Sequence, residues 1–181
     1  RPVGSITYTQ FLNHKGGIES DVTVTRVAEN EFRIISGTSF VASDIGWIRL
    51  HLPEDGSVQV EDVTDQLGCL GLWGPSARAV LQAVSASDVS NAVFPYMTAG
   101  SVDITGAAVW AQRVSYAGEL GWELYIKPVD ALRVFDALTG AGKKFGLRPA
   151  GYKALDSLRI EKGYLYWSGD ITPADNPMDA G

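Results

Sequence analysis

Apolar and polar positions set out a series of short strands and amphipathic helices along the chain. Ile6, Tyr8 and Phe11, then Val22, Val24 and Val27, recur at strand spacing on either side of Lys15-Gly16-Gly17, a sequence suited to a turn with positive φ. Glu29-Asn30 predicts a further turn, and Glu31 to Gly37 a third strand, completing a small meander. Thr38 or Ser39 then caps a predicted helix whose residues Val41, Ile45, Ile48 and Leu52 form one stripe, stopped by Pro53. Val58, Val60 and Val63 suggest another strand, and the apolar run from Leu67 to Trp73 a buried central one.

Gly74-Pro75 ends that run and opens a helix with Ala77, Val80, Leu81 and Val84 facing inward. Strands follow over 101–105 and 107–115, hinged at Gly106, and an alternating strand runs to Ile126. Pro128 to Gly142 reads as a helix with Leu132, Phe135 and Leu138 on its stripe. A last helix after Pro149 places Ala154, Leu155 and Leu158 inward, turns Lys153, Arg159, Glu161 and Lys162 mainly outward, and ends at Gly163. Residues 164–177 are irregular, aromatic and rich in turn formers, the character of a segment that lines a site. Strands and helices in mixed order, without regular βαβ alternation, indicate an α+β fold.

Composition narrows the partners. The 21 acidic and 15 basic residues leave a net charge of −6, which disfavours nonspecific binding to nucleic acid or anionic membrane and leaves a small molecule as the default ligand. No apolar run is long enough to span a bilayer, and a cytoplasmic location is expected. The single cysteine, Cys69, reads as a buried, inert thiol among leucines. His14 and His51 lack partners at metal-ligand spacing, so no metal site is expected. Gly-rich dinucleotide and phosphate fingerprints are absent, so a flavin taking part would sit on a domain outside this chain. Arg1 and Gly181 both look like cuts within a longer protein.

Two stretches carry candidate chemistry. In a strand through Val22, Asp21 and Thr23 share the face opposite Val22 and Val24, a polar pair beside a tight turn. An Asp in that position commonly caps a turn, and exposed threonines commonly fill a solvated face. In the second stretch, Tyr116 to Ile126, Glu123 and Tyr125 share one face while Trp122, Leu124 and Ile126 take the other. Three readings of Glu123 stand: a core salt bridge to an arginine, a solvated edge position, or a carboxylate held for a ligand. A ligand with two adjacent N–H donors would suit such a carboxylate, and Tyr116 could lie against its ring.

The motifs Gly-Gly-Ile-x-x-Asp (residues 16–21), Tyr-x-Gly-Glu-x-Gly-Trp-Glu (116–123), Asp-Ser-Leu-Arg-x-Glu-x-Gly (156–163) and Asp-Ile-Thr-Pro (170–173) occur in the order found in the aminomethyltransferase family, the T-protein of the glycine cleavage system, which this chain resembles. Lys153 to Tyr164 and Trp167-x-x-Asp170 are most similar to the folate domains fused to flavin-dependent dimethylglycine and sarcosine oxidases or dehydrogenases. The related iron–sulfur maturation branch carries a Cys where Lys162-Gly163-Tyr164 stands here.

The resemblance implies a T-protein-like folate-binding fold lacking its termini and a C-terminal β-barrel. Residues 1–99 would form part of a first subdomain, and 100–181 a second with the start of the connection to the barrel. It implies Asp21 as the catalytic residue, and Tyr8, Thr23, Tyr116, Glu123, Leu124 and Tyr125 as tetrahydrofolate contacts. Leu155 stands where T-proteins typically have a folate-contacting Arg. The implied activity is transfer of a one-carbon unit from an oxidised N-methyl amine of dimethylglycine or sarcosine type to give 5,10-methylenetetrahydrofolate, with FAD on a fused or associated domain. A free-standing aminomethyltransferase and a non-catalytic folate-binding or scaffold module are the alternatives.

Overall fold

The computed structural model describes residues 1–181. Strands β1 (Ile6–Leu12) and β2 (Ile18–Ala28) form a hairpin that β3 (Glu31–Ile35) extends, giving an antiparallel sheet in the order β1-β2-β3. Gly16 takes φ +83° in the first turn, as its sequence requires. Gly17 answers a different demand: a Cβ there would lie 2.1 Å from the Pro173 carbonyl oxygen. A short 3₁₀ turn leads into α1 (Val41–Leu50), whose expected stripe of Val41, Ile45 and Ile48 is only half-buried.

The second sheet contains β4 (Gly68–Trp73), β5 (Ala99–Ile104), β6 (Ala107–Gln112) and β7 (Gly121–Ile126), hydrogen-bonded antiparallel in the order β4-β7-β6-β5. Helices α2 (Ala77–Val84) and α3 (Pro128–Gly142) pack on one of its faces. The main core lies between them: Trp122, Leu124 and Ile126 of β7 meet Val80 and Leu81 of α2 and Val134 and Leu138 of α3. Full burial of aliphatic side chains such as Leu81 and Leu124 contributes about 1.5–3 kcal/mol each. Main-chain bonds at residues 97–99 tie the sheets together: Ile6 N–H donates to the Met97 carbonyl at 2.9 Å, and Arg113 N–H to that of Thr98 at 2.8 Å.

Several expectations are corrected. Residues 58–63 form no strand, since no neighbouring backbone pairs with them. The run through Leu70 is an edge strand rather than a central one; its sole ladder partner is β7, and Cys69 is exposed. The stripe of α3 runs through Val134 and Leu138, leaving Leu132 72% and Phe135 40% exposed. On α4 (Tyr152–Lys162) the inward residue is Arg159, while Ala154 and Leu158 lie outward and Leu155 is half-buried. Arg159 Nε donates to Asp156 at 2.8 Å, and its Nη1 to Asp170 and to the Tyr164 carbonyl, so ion pairing rather than apolar packing anchors this helix. Strand β4 and helix α2 belong to the second sheet and its core.

Candidate functional site

The registers of the two sheets decide what faces what. Tyr8 lies opposite Thr23 and Gln10 opposite Asp21, so Tyr8, Asp21, Thr23 and Thr25 share one face of the first sheet. In the second sheet Gln112 is opposite Glu123 and Trp110 opposite Tyr125, on the face turned away from the α2–α3 core. The two faces look at each other. Thr25 donates its hydroxyl to the Gln112 side-chain carbonyl across the gap, and the Arg33 guanidinium lies 5.6 Å from the Trp110 ring centre.

At one end of this sheet-to-sheet contact the Tyr8 hydroxyl donates to Asp21 Oδ2 at 3.0 Å. Burial raises the Asp21 carboxyl above the usual carboxylate range, the Tyr8 bond opposes that rise, and the charge of Asp44 adds to it. Asp44, in the first turn of α1, is 4% exposed, and its Oδ2 has no hydrogen-bond partner. Burial, and then the Asp21 charge, likewise raise the Tyr8 phenol. Tyr116 is near enough for the Asp21 charge to act on its phenol, which burial pushes up to about 12. Its ring lies nearly parallel to that of Tyr164, 6.4 Å away, and its hydroxyl donates to the Leu165 carbonyl.

The irregular C-terminal segment closes this end. Trp167 Nε1 donates to the Ile18 carbonyl at 2.9 Å, and Ile18 N–H donates to the Asp175 carbonyl at 2.9 Å. Those bonds seat residues 164–175 on the start of β2, and the side-chain-free Gly17 lets Pro173 approach.

At the other end the Tyr125 hydroxyl donates to Glu123 Oε2 at 2.7 Å. Burial raises the Glu123 carboxyl, a rise that the Tyr125 bond partly offsets. No cation pairs with Glu123; the ion pairs engage Asp130, Asp156 and Asp170 instead, which removes the salt-bridge reading. Cys69 is exposed as a residue, which corrects the expectation of a buried thiol. Its thiol nevertheless borders this group and stays protonated, pushed up to about 12 by local desolvation and the Glu123 charge.

The structure thus brings Tyr8, Asp21 and Tyr116 to one end and Glu123 with Tyr125 to the other, while Thr23 lies along the wall between Asp21 and Thr25. Asp21 and Thr25 are four residues apart on one strand face, roughly 13 Å. Leu124 is turned away: its side chain is fully buried in the core, and its main chain lies within the ladders to Leu70 and Ala111. Sequence reasoning missed Thr25, Gln112, Asp44 and the anchoring role of Arg159. Alternation on β2 and β6 could have found the first two; nothing local marks Asp44.

Each uncompensated carboxylate suits a ligand group bearing N–H donors or developing positive charge. Three donors buried between the sheets, Gln112 Nε2, Trp110 Nε1 and Arg33 Nη1, have no acceptor in the protein.

Comparison with known proteins agrees with this architecture. The family model described as GCVT N-terminal domain matches residues 1–181. Human mitochondrial sarcosine dehydrogenase is 40% identical over all of this chain, and human mitochondrial dimethylglycine dehydrogenase 36% over 99% of it; each match covers 21% of the relative. The chain therefore spans about a fifth of the length of these relatives. The aminomethyltransferase of Halothermothrix orenii is 34% identical over 98% of this chain and 49% of its own length. Among solved structures, the glycine cleavage system aminomethyltransferase T of Bartonella henselae superposes with a TM-score of 0.79 at 25% identity, covering 98% of this chain and 46% of that one.

Proposed function

The chain belongs to the GCVT N-terminal domain family, and from that footing we propose that it binds tetrahydrofolate in the cleft between its two sheets and transfers a one-carbon unit to it. The observation that carries this reading is the pair of carboxylates, Glu123 and Asp21, on the facing sides of the two sheets, each held by a tyrosine hydroxyl and neither paired with a cation. A reduced pterin fits the donor set: it presents two adjacent N–H donors to a carboxylate and acceptors to the unpaired donors of the wall.

When bound, tetrahydrofolate supplies the nucleophilic nitrogens that receive the one-carbon unit. Glu123 accepts from the pterin N–H groups, with Tyr125 fixing the carboxylate through Oε2. Each such charge-assisted bond contributes about 1.5–3 kcal/mol. Asp21 stabilises the cationic iminium donor by charge; as the one-carbon unit bonds to the two folate nitrogens its bond to the amine nitrogen breaks and the demethylated amine leaves, and Asp21 Oδ1, left free by the Tyr8 bond at Oδ2, accepts the one N–H proton released overall. The raised affinity of Asp21 for a proton suits that role. Tyr116 and Tyr164 shield this end from water. The donor is an N-methylated amine of sarcosine or dimethylglycine type, oxidised to its iminium by a flavin domain outside this chain. The sarcosine and dimethylglycine dehydrogenase relatives support that choice.

Asp21→Asn is expected to bind tetrahydrofolate with nearly unchanged affinity and to lower the single-turnover rate of methylene transfer by roughly 10²–10⁴-fold. An unchanged transfer rate would remove Asp21 from the chemistry. A non-catalytic module is the second reading, favoured by a 35% identical relative, the mouse mitochondrial pyruvate dehydrogenase phosphatase regulatory subunit. Tight folate binding without transfer by the wild type would support it.

A further inference from the structure

Gln112 is fully buried, on the last residue of β6, directly opposite Glu123. Opposed residues of an antiparallel pair have Cβ atoms roughly 4.5–5.5 Å apart, so the amide and the carboxylate stand side by side on the cleft face. Thr25 donates its hydroxyl to the amide oxygen, which leaves the amide NH₂ as the end turned away from the first sheet. That Nε2 makes no well-formed hydrogen bond, although it is buried and near enough to the Tyr125 hydroxyl to act on it. Burying such a donor without a partner costs about 1–3 kcal/mol, and the fold retains it in the row that contains Glu123 and Tyr125. Trp110 Nε1, two residues back on the same face of β6, is also unpaired.

From this juxtaposition we propose that Gln112 is a specificity-determining residue, reading the 4-oxo group of the pterin beside the two N–H groups read by Glu123. The proposal rests on the folate reading above. Along the edge of a 2-amino-4-oxo pteridine the order is amino donor, ring N–H donor and carbonyl acceptor. The protein presents the complement: a carboxylate accepting twice, then an amide N–H donating once. A 2,4-diamino pteridine carries an amino group in place of the carbonyl, so the Gln112 donor would meet a donor, and the unprotonated ring nitrogen would face the carboxylate. Thr25 acts as the positioning residue, because its hydroxyl sets which end of the amide enters the cleft.

The test is a titration of the full natural protein with tetrahydrofolate and with its 4-amino analogue, for wild type, Gln112→Leu, Thr25→Val and Glu123→Gln. Wild type is expected to favour the 4-oxo ring by about 10–100-fold, the value of one good hydrogen bond against one donor–donor clash. Gln112→Leu should reduce that preference by about tenfold, chiefly by weakening the 4-oxo ligand, leaving the part set by Glu123 against the ring nitrogen, and Thr25→Val should reduce it in the same direction without altering β6. A general structural defect would lower both affinities and leave their ratio in place. Discrimination undiminished in both variants overturns the role of Gln112 while leaving the folate reading intact. Loss of binding to both rings in Glu123→Gln, with the ratio lost in Gln112→Leu, supports the pair acting together. Failure of wild type to bind either ring removes the folate reading and this proposal with it.

Discussion

At the residue scale, the cleft holds its carboxylates at a cost. Glu123 is desolvated, has no cation and depends on one tyrosine bond, so its proton affinity is higher folded than unfolded. The native state then binds more protons than the unfolded state between the ordinary carboxylate range and the raised folded value, and stability falls as pH rises through that window. Glu123→Gln keeps an acceptor for Tyr125 and removes the buried charge. It should flatten that pH dependence and raise the neutral-pH melting temperature, by roughly 2–4 °C for each 1 kcal/mol gained in a chain of this size, while ligand binding is lost. A fall in melting temperature at neutral pH would show that the carboxylate is compensated. Asp21 gives a kinetic counterpart: because burial raises it, the acid limb of the transfer rate should lie above the usual carboxylate range and vanish in Asp21→Asn, as pH–rate profiles of both proteins can show.

Among the elements, the two least packed are fixed by specific polar contacts. Alternation over β7 and the first half of β2 was legible because Trp122, Leu124 and Ile126, and likewise Ile18, Ser20 and Val22, form one buried face, and period two carries that information directly. The faces of α3 and α4 were not, for different reasons. On α3 the packing stripe is rotated to Val134 and Leu138 by contact with α2 and β4. On α4 an arginine replaces the apolar stripe, because Asp156, Asp170 and the Tyr164 carbonyl lie around it. Arg159→Met should therefore speed amide exchange across residues 152–163 by on the order of tenfold and leave the α2–α3 core protected; unchanged exchange there would mean that other contacts hold α4. The Gly16-Gly17 turn separates two further effects. Gly17→Ala, whose new Cβ would lie 2.1 Å from the Pro173 oxygen, should displace residues 164–175 and lower stability by about 1–3 kcal/mol in denaturant titration. Gly16→Ala, which meets open space, should cost only the left-handed backbone penalty of about 1–2 kcal/mol and leave that segment seated.

For the whole molecule, two sheets from separate stretches of chain face each other, and the positions that meet between them are far apart in sequence. Asp21 and Glu123 stood out in the sequence because an acid between apolar alternations is costly. Their relation through Thr25 and Gln112, 87 residues apart, depends on a sheet-to-sheet contact that no local pattern encodes. Membership of β4 in the second sheet was hidden for the same reason, since its ladder partner β7 lies about fifty residues later. No helix is long and apolar enough to cross a membrane, and the sarcosine and dimethylglycine dehydrogenase relatives are described as mitochondrial. The central claim is that this cleft is a folate site read by Glu123, and calorimetric titration of tetrahydrofolate into the full natural protein, beside its Glu123→Gln variant, tests it most directly. Saturable binding by wild type, weakened by about tenfold or more in the variant, is the predicted result; equal binding by both proteins, or none by wild type, would contradict it.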